Sequence, residues 1–215
     1  AQNQDKSISY MEKNQYNELV AFLSSSEEPD KNAELCRDFA IAFARYRQLK
    51  YLEVSQSWDD YFANGNTYRQ ELVDNAQKVL EEAPSTNCLR PKCRLLLWRF
   101  HQDQQDAFAQ DALEDLVTEL KAYAGPGADL EIIKDAADKL LAADEKSKAR
   151  EIYKLYVAGL TQQQMTPAQL KEVAAGFYKQ GNLELSQSIY DLYISEISKT
   201  LPPENGMQRD LDHFP

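Results

Sequence analysis

Apolar residues recur three and four positions apart along most of the chain, and no window of four or more residues alternates strictly enough to read as a strand. Breakers interrupt this spacing at Pro29, at Asn64-Gly65-Asn66, from Pro84 to Pro91, at Gly125-Pro126-Gly127, at Thr166-Pro167 and at Pro202-Pro203. Between them the pattern predicts helices at about 5–24, 33–49, 51–63, 67–83, 91–102, 105–124, 128–142, 146–160, 167–180 and 182–199, the first breaking near Asn14. Helices of this length joined by short loops pair as antiparallel hairpins, so the expected class is all-α.

The hairpins show internal similarity. Leu52-Glu53-Val54-Ser55-Gln56-Ser57 recurs as Leu183-Glu184-Leu185-Ser186-Gln187-Ser188, and Ala112 and Ala149 fall between the copies as small residues early in a second helix. The steps are 57, 37 and 37, and the surplus of 20 residues in the first has the size of an extra helix at 67–83. The first helices carry matching apolar sets: Phe39, Ala42, Phe43 and Tyr46; Ile133, Ala136, Ala137 and Leu140; Leu170, Val173, Ala174 and Phe177. The set around Leu96 and Phe100 fits less well, because Arg99 and Asp103 stand where apolar residues are expected.

On these residues the chain resembles the tetratricopeptide repeat family of stacked helical hairpins. Ala174, Phe177, Gly181, Leu183, Ser186 and Tyr190 match its small, aromatic, turn-glycine, apolar, small and aromatic positions in order, and Asp144, Ala149 and Tyr153 carry a weaker copy. The resemblance implies a short right-handed solenoid over residues 1–199, with units at about 5–24, 33–64, 91–124, 128–160 and 167–199, the extra helix at 67–83, and a flexible tail at 200–215. Tyr16 and Leu19 mark the second helix of the partial first unit. The period of 37 departs from the family's 34, and one unit alone has the turn glycine.

Charge narrows the function. With 24 basic and 35 acidic residues the net charge is −11, which argues against general nucleic-acid binding. The longest wholly apolar run, Leu95 to Trp98, is far short of the roughly 20 residues of a membrane-spanning helix. The small residues at the start, Ala1-Gln2-Asn3, fit a processed N-terminus and an extracytoplasmic location, with the cytoplasm as the alternative. Cys88 and Cys93 are disulfide candidates for an oxidising compartment, and Cys36, in an apolar stripe, is expected to be a buried small hydrophobe. Two histidines, His101 and His213, no glycine-rich phosphate loop and no zinc-helix spacing disfavour an enzyme, and no cofactor is expected. The carboxylates Asp111, Glu114, Asp115 and Glu119 read as a solvated helix face, and Tyr153, Tyr156, Tyr190 and Tyr193 as packing between repeats.

In such a stack the first helices line a concave surface, and the side chains opposite their packing sets face it. In the register above, 20 positions face this surface, among them Ala44, Gln48 and Leu97; six are basic (Arg37, Arg47, Arg94, Lys134, Lys171, Lys179) and two acidic (Glu131, Asp138). With His101 and Tyr178 these bases are the expected partner-binding residues of a non-catalytic interaction module, an accessory subunit of an envelope or secreted complex, whose partner presents an acidic or carboxylate-bearing segment. The family's carboxylate clamp uses a lysine and an asparagine. Lys134 and Lys171 match the lysine place, whereas Asp138 and Ala175 replace the asparagine. The alternative is a thiol- or metal-dependent protein centred on Cys88, Cys93 and His101.

Overall fold

The computed structural model describes residues 2–200, with side chains from Lys6 to Lys199. It is all-α; among the described residues there is no strand. The helices are α1 (Gln2–Glu12), α2 (Tyr16–Ser24), α3 (Lys31–Val54), α4 (Trp58–Glu82), α5 (Leu89–Gln104), α6 (Ala109–Tyr123), α7 (Leu130–Ala142), α8 (Lys146–Gln162), α9 (Pro167–Lys179) and α10 (Leu183–Thr200). Of the tail expected at 200–215, residue 200 is the last of α10, and 201–215, with His213, lie outside the described residues.

Local sequence explains where several helices start. The Asp30 carboxylate accepts from the Ala33 N–H (2.9 Å), Asp129 accepts from Glu131 N–H (3.1 Å), and Thr166 forms a capping box with Gln169 just before Pro167.

The ends within hairpins share one backbone device. Asn14, Gln56, Gln105, Asp144 and Gly181 all have positive φ, and in each case the next N–H reaches back five residues to a helix carbonyl. The bonds run from Gln15 to Tyr10 (2.9 Å), Ser57 to Leu52 (2.9 Å), Asp106 to His101 (3.3 Å), Glu145 to Leu140 (2.9 Å) and Asn182 to Phe177 (3.0 Å). This is the Schellman ending, which caps orphan carbonyls and turns the chain toward the second helix. Glycine fills the left-handed position only at Gly181; elsewhere a side-chain-bearing residue holds it.

This device corrects the expected helices at 33–49, 51–63 and 67–83. Nothing at Lys50-Tyr51 stops a helix, so α3 runs on to Val54 and turns at Gln56. Asn64-Gly65-Asn66 lies inside α4 rather than breaking it. Asn64 donates to Asp60 (2.6 Å), Asn66 accepts from Arg69 (3.1 Å), and the Arg69 guanidinium covers the face that glycine leaves bare. The two copies of the hexapeptide consequently hold different structure: Gln56 is the left-handed turn residue after α3, whereas Gln187 is inside α10. The second helices α6, α8 and α10 do begin at even steps of 37 residues, at Ala109, Lys146 and Leu183.

Each helix packs chiefly on its sequence neighbour, giving hairpins α3–α4, α5–α6, α7–α8 and α9–α10. Successive first helices also touch, α3 on α5 and α5 on α7, as do the second helices α6, α8 and α10. One core joins Ala42, Tyr46 and Leu49 of α3 to Leu72, Ala76 and Val79 of α4 and to Cys93, Leu96 and Phe100 of α5. A second begins at Leu95 and Trp98 on the other side of α5 and continues to Leu185 and Ile189 of α10. Buried polar groups tie the first of these regions together. Arg45 donates to Asn17 (2.7 Å) and Gln48 (2.5 Å), pairs with Glu71 (2.5 Å), and lies over the Tyr68 ring at 4.7 Å. That network links α2, α3 and α4 and buries Gln48, which the sequence register had placed on the concave surface.

Candidate binding groove

The first helices enclose one groove of about 730 Å³. Phe39, Phe43, Tyr46, Arg47, Lys50, Tyr51 and Val54 of α3 form one wall; Lys92, Leu95, Leu96 and Arg99 of α5 form the floor and the facing wall. Asp135 and Lys139 of α7 close one side, and Asn14 and Tyr16 at the α1–α2 corner close the other. The lining therefore holds five bases, Arg47, Lys50, Lys92, Arg99 and Lys139, against the single carboxylate of Asp135. In a chain of net charge −11 this is a local reversal of sign.

Two of those bases are already paired: Lys50 bridges Glu53 (3.3 Å) and Asp103 (3.4 Å), and Lys139 pairs with Asp135 one turn away. Among the described residues, Arg47, Lys92 and Arg99 have no carboxylate partner. Arg99 lies over the Tyr46 ring at 5.6 Å. The Tyr46 hydroxyl donates to Asp103 Oδ2 (2.8 Å), and burial together with that bond pushes its pKa up to about 12, so it stays a neutral donor at physiological pH. Asp103 is thereby held between Tyr46 and Lys50 on the groove's margin, at the place where the repeat pattern called for an apolar residue.

The groove is also aromatic. Phe43 is 38% exposed and stacks on Phe39 at 6.3 Å; Tyr51 is 40% exposed and leans on Tyr16 at 6.0 Å. Val54, at the groove's end, is 82% exposed. Of the packing set expected on α3, Ala42 and Tyr46 are in the core and Phe39 packs against it while also lining the groove; only Phe43 departs, turning out to an exposed position on the groove wall.

The residues expected to bind a partner do not share one surface. Arg47 lines the groove. Arg37 pairs with the buried Asp38 (3.1 Å). Arg94 bridges to Asp115 of α6 (2.7 Å), and His101 Nδ1 lies 2.8 Å from Asp106 Oδ2 with its ring between Phe100 and Phe108. Arg94 and His101 line a separate depression of about 320 Å³ between α4, α5 and α6. Lys134 pairs with Asp138 (2.9 Å) and sits over Phe177 at 5.5 Å, while Lys171, Tyr178 and Lys179 are exposed on α9. Of the other positions expected on the concave surface, Ala44 and Leu97 are buried. Lys50, Lys92, Arg99 and Lys139 were missed, although their spacing on α3, α5 and α7 was readable once the rotation of each helix was known.

The cysteine expectations change as well. Cys36 is exposed rather than buried, Cys88 is half-buried, Cys93 is buried, and all three are free thiols. Cys88 stands at the N-cap position of α5 without a side-chain capping bond, and Cys93 lies within the helix, five residues on and so about 140° around the axis. Burial pushes the Cys93 thiol up to about 12. Glu119, expected on a solvated face, is buried and accepts from Arg90 Nε (2.7 Å) and Nη2 (2.9 Å). Among the described residues no three His, Cys, Asp or Glu side chains stand together as a metal site, and no helix is long and apolar enough to cross a membrane.

Comparisons with protein-family models, with curated proteins and with solved structures returned no match.

Proposed function

We propose that this protein is a non-catalytic interaction module, built as a short tetratricopeptide-like stack, that holds an acidic segment of a partner protein in the groove across α3, α5 and α7. The observation that carries the reading is the set of cations, Arg47, Lys92 and Arg99, that have no carboxylate partner among the described residues and lie on an exposed aromatic surface of an otherwise acidic chain. Cations that line one groove without an ion-pair partner leave positive charge that an incoming carboxylate can meet while the aromatic rings lose water. The stacking of first helices on first helices supports the tetratricopeptide-like part of the reading.

Selection of random 16-residue peptides displayed on phage against the full chain tests it. The expected result is enrichment of acidic sequences, loss of that enrichment in the Lys92→Glu/Arg99→Glu variant, and weakening of binding as salt rises above about 0.1 M. Enrichment without charge bias, or the same enrichment by the variant, overturns the proposal.

A further inference from the structure

The walls of the groove also specify the form of the segment. Phe39, Phe43, Arg47 and Tyr51 stand four residues apart on α3 and so make one ridge, the row of side chains that interdigitates when two helices pack. At 1.5 Å per residue this ridge runs about 18 Å. It is open to solvent at Phe43, Arg47 and Tyr51. Facing it, Lys92, Leu95, Leu96 and Arg99 repeat at the same helical spacing on α5, with the two leucines as an apolar floor between the two cations.

We infer that the groove takes an acidic amphipathic helix of about three turns from a partner protein, which rests on the reading of the groove as an acceptor of acidic segments. The helix lays an apolar stripe over Phe43, Tyr51 and the floor of Leu95 and Leu96, and presents carboxylates to Arg47, Lys92 and Arg99. Packing an i, i+4 row against the α3 ridge accounts for both the exposed aromatics and the arginine between them. The side chains of an extended strand alternate between faces, so only every second one would meet the ridge.

The test uses the full chain and two fluorescein-labelled, amidated 15-residue peptides of equal charge. One is alanine-based, with leucines four residues apart flanked by glutamates; the other carries a central proline. Fluorescence anisotropy measures affinity and circular dichroism measures helicity. The helical peptide should gain helicity on binding, and the proline peptide should bind about 100-fold more weakly. Phe43→Ala and Tyr51→Ala, both at exposed positions, should each weaken the helical peptide about tenfold. Equal binding of the two peptides overturns the helical occupant and leaves the acidic groove standing. Binding of neither, or binding indifferent to Lys92→Glu/Arg99→Glu, overturns both.

Discussion

Single residues set the turns of this molecule, in a conformation their chemistry does not favour. Gln56 (φ 55°), Gln105 (φ 51°) and Asp144 (φ 66°) occupy the left-handed region, where a Cβ crowds the following carbonyl. Gly181 does the same job at φ 79° without that crowding, and its role, like the break at Asn14, could be read directly from the chain. Replacing Gln56 or Gln105 by glycine removes a strain of about 1–2 kcal/mol and adds about 0.4–1 kcal/mol of unfolded-chain entropy, so each variant should be more stable by about 0.5–1 kcal/mol. Urea unfolding checks this; a loss of stability in both would show that their side chains, not the backbone, hold the turns. Glutamine carries no signature of a left-handed position, which is why the end of α3 was placed too early from sequence.

Helices pack according to what lies on the face they turn inward, and that face depends on rotation about the axis. On α3 the apolar stripe is wide: Phe39, Ala42, Tyr46 and Leu49 turn toward one core, while Phe43 at its edge stays exposed. Arg45 is bonded to Asn17, Gln48 and Glu71 in the orientation that buries Ala42 and Leu49 and leaves Phe43 exposed on the groove wall. On α8, by contrast, one small residue controls an approach. A methyl group added at Gly159 would lie 2.2 Å from Leu130 Cδ2, at the start of α7. Gly159→Ala gains about 1 kcal/mol of helix propensity but overpacks the contact by about 1–3 kcal/mol, so a net destabilisation of about 1 kcal/mol is expected. Thermal or urea melts of Gly159→Ala, with Leu130→Ala as the partner mutation, check it: the double mutant should fall short of the sum of the two single losses, because the smaller Leu130 side chain removes the clash.

At the scale of the whole molecule, burial of phenols and a thiol fixes the alkaline limit of stability. Burial pushes Tyr156 and Cys93 up to about 12; burial and a carboxylate partner do the same for Tyr46 and raise Tyr153 further. The folded chain holds these protons more tightly than the unfolded chain, whose thiol and phenols ionise from about pH 9 to 10. Stability contributed by these groups is full below about pH 9 and is lost as pH rises toward 12. The urea midpoint should therefore fall steadily from about pH 9 to 11.5, and Tyr156→Phe should flatten part of that slope; a midpoint independent of pH would exclude the mechanism. The recurrence of apolar residues three and four positions apart, the scarcity of breakers and the net charge determined an all-α chain of hairpins with an acidic exterior, because those properties depend on local spacing and composition. Tertiary structure decided the rotation of α3 and α5, the continuity of α4 through Gly65, and the burial of Glu119 beside Arg90. It also decided which bases meet in a groove, since a side chain's neighbours across helices are set by packing between segments distant in sequence.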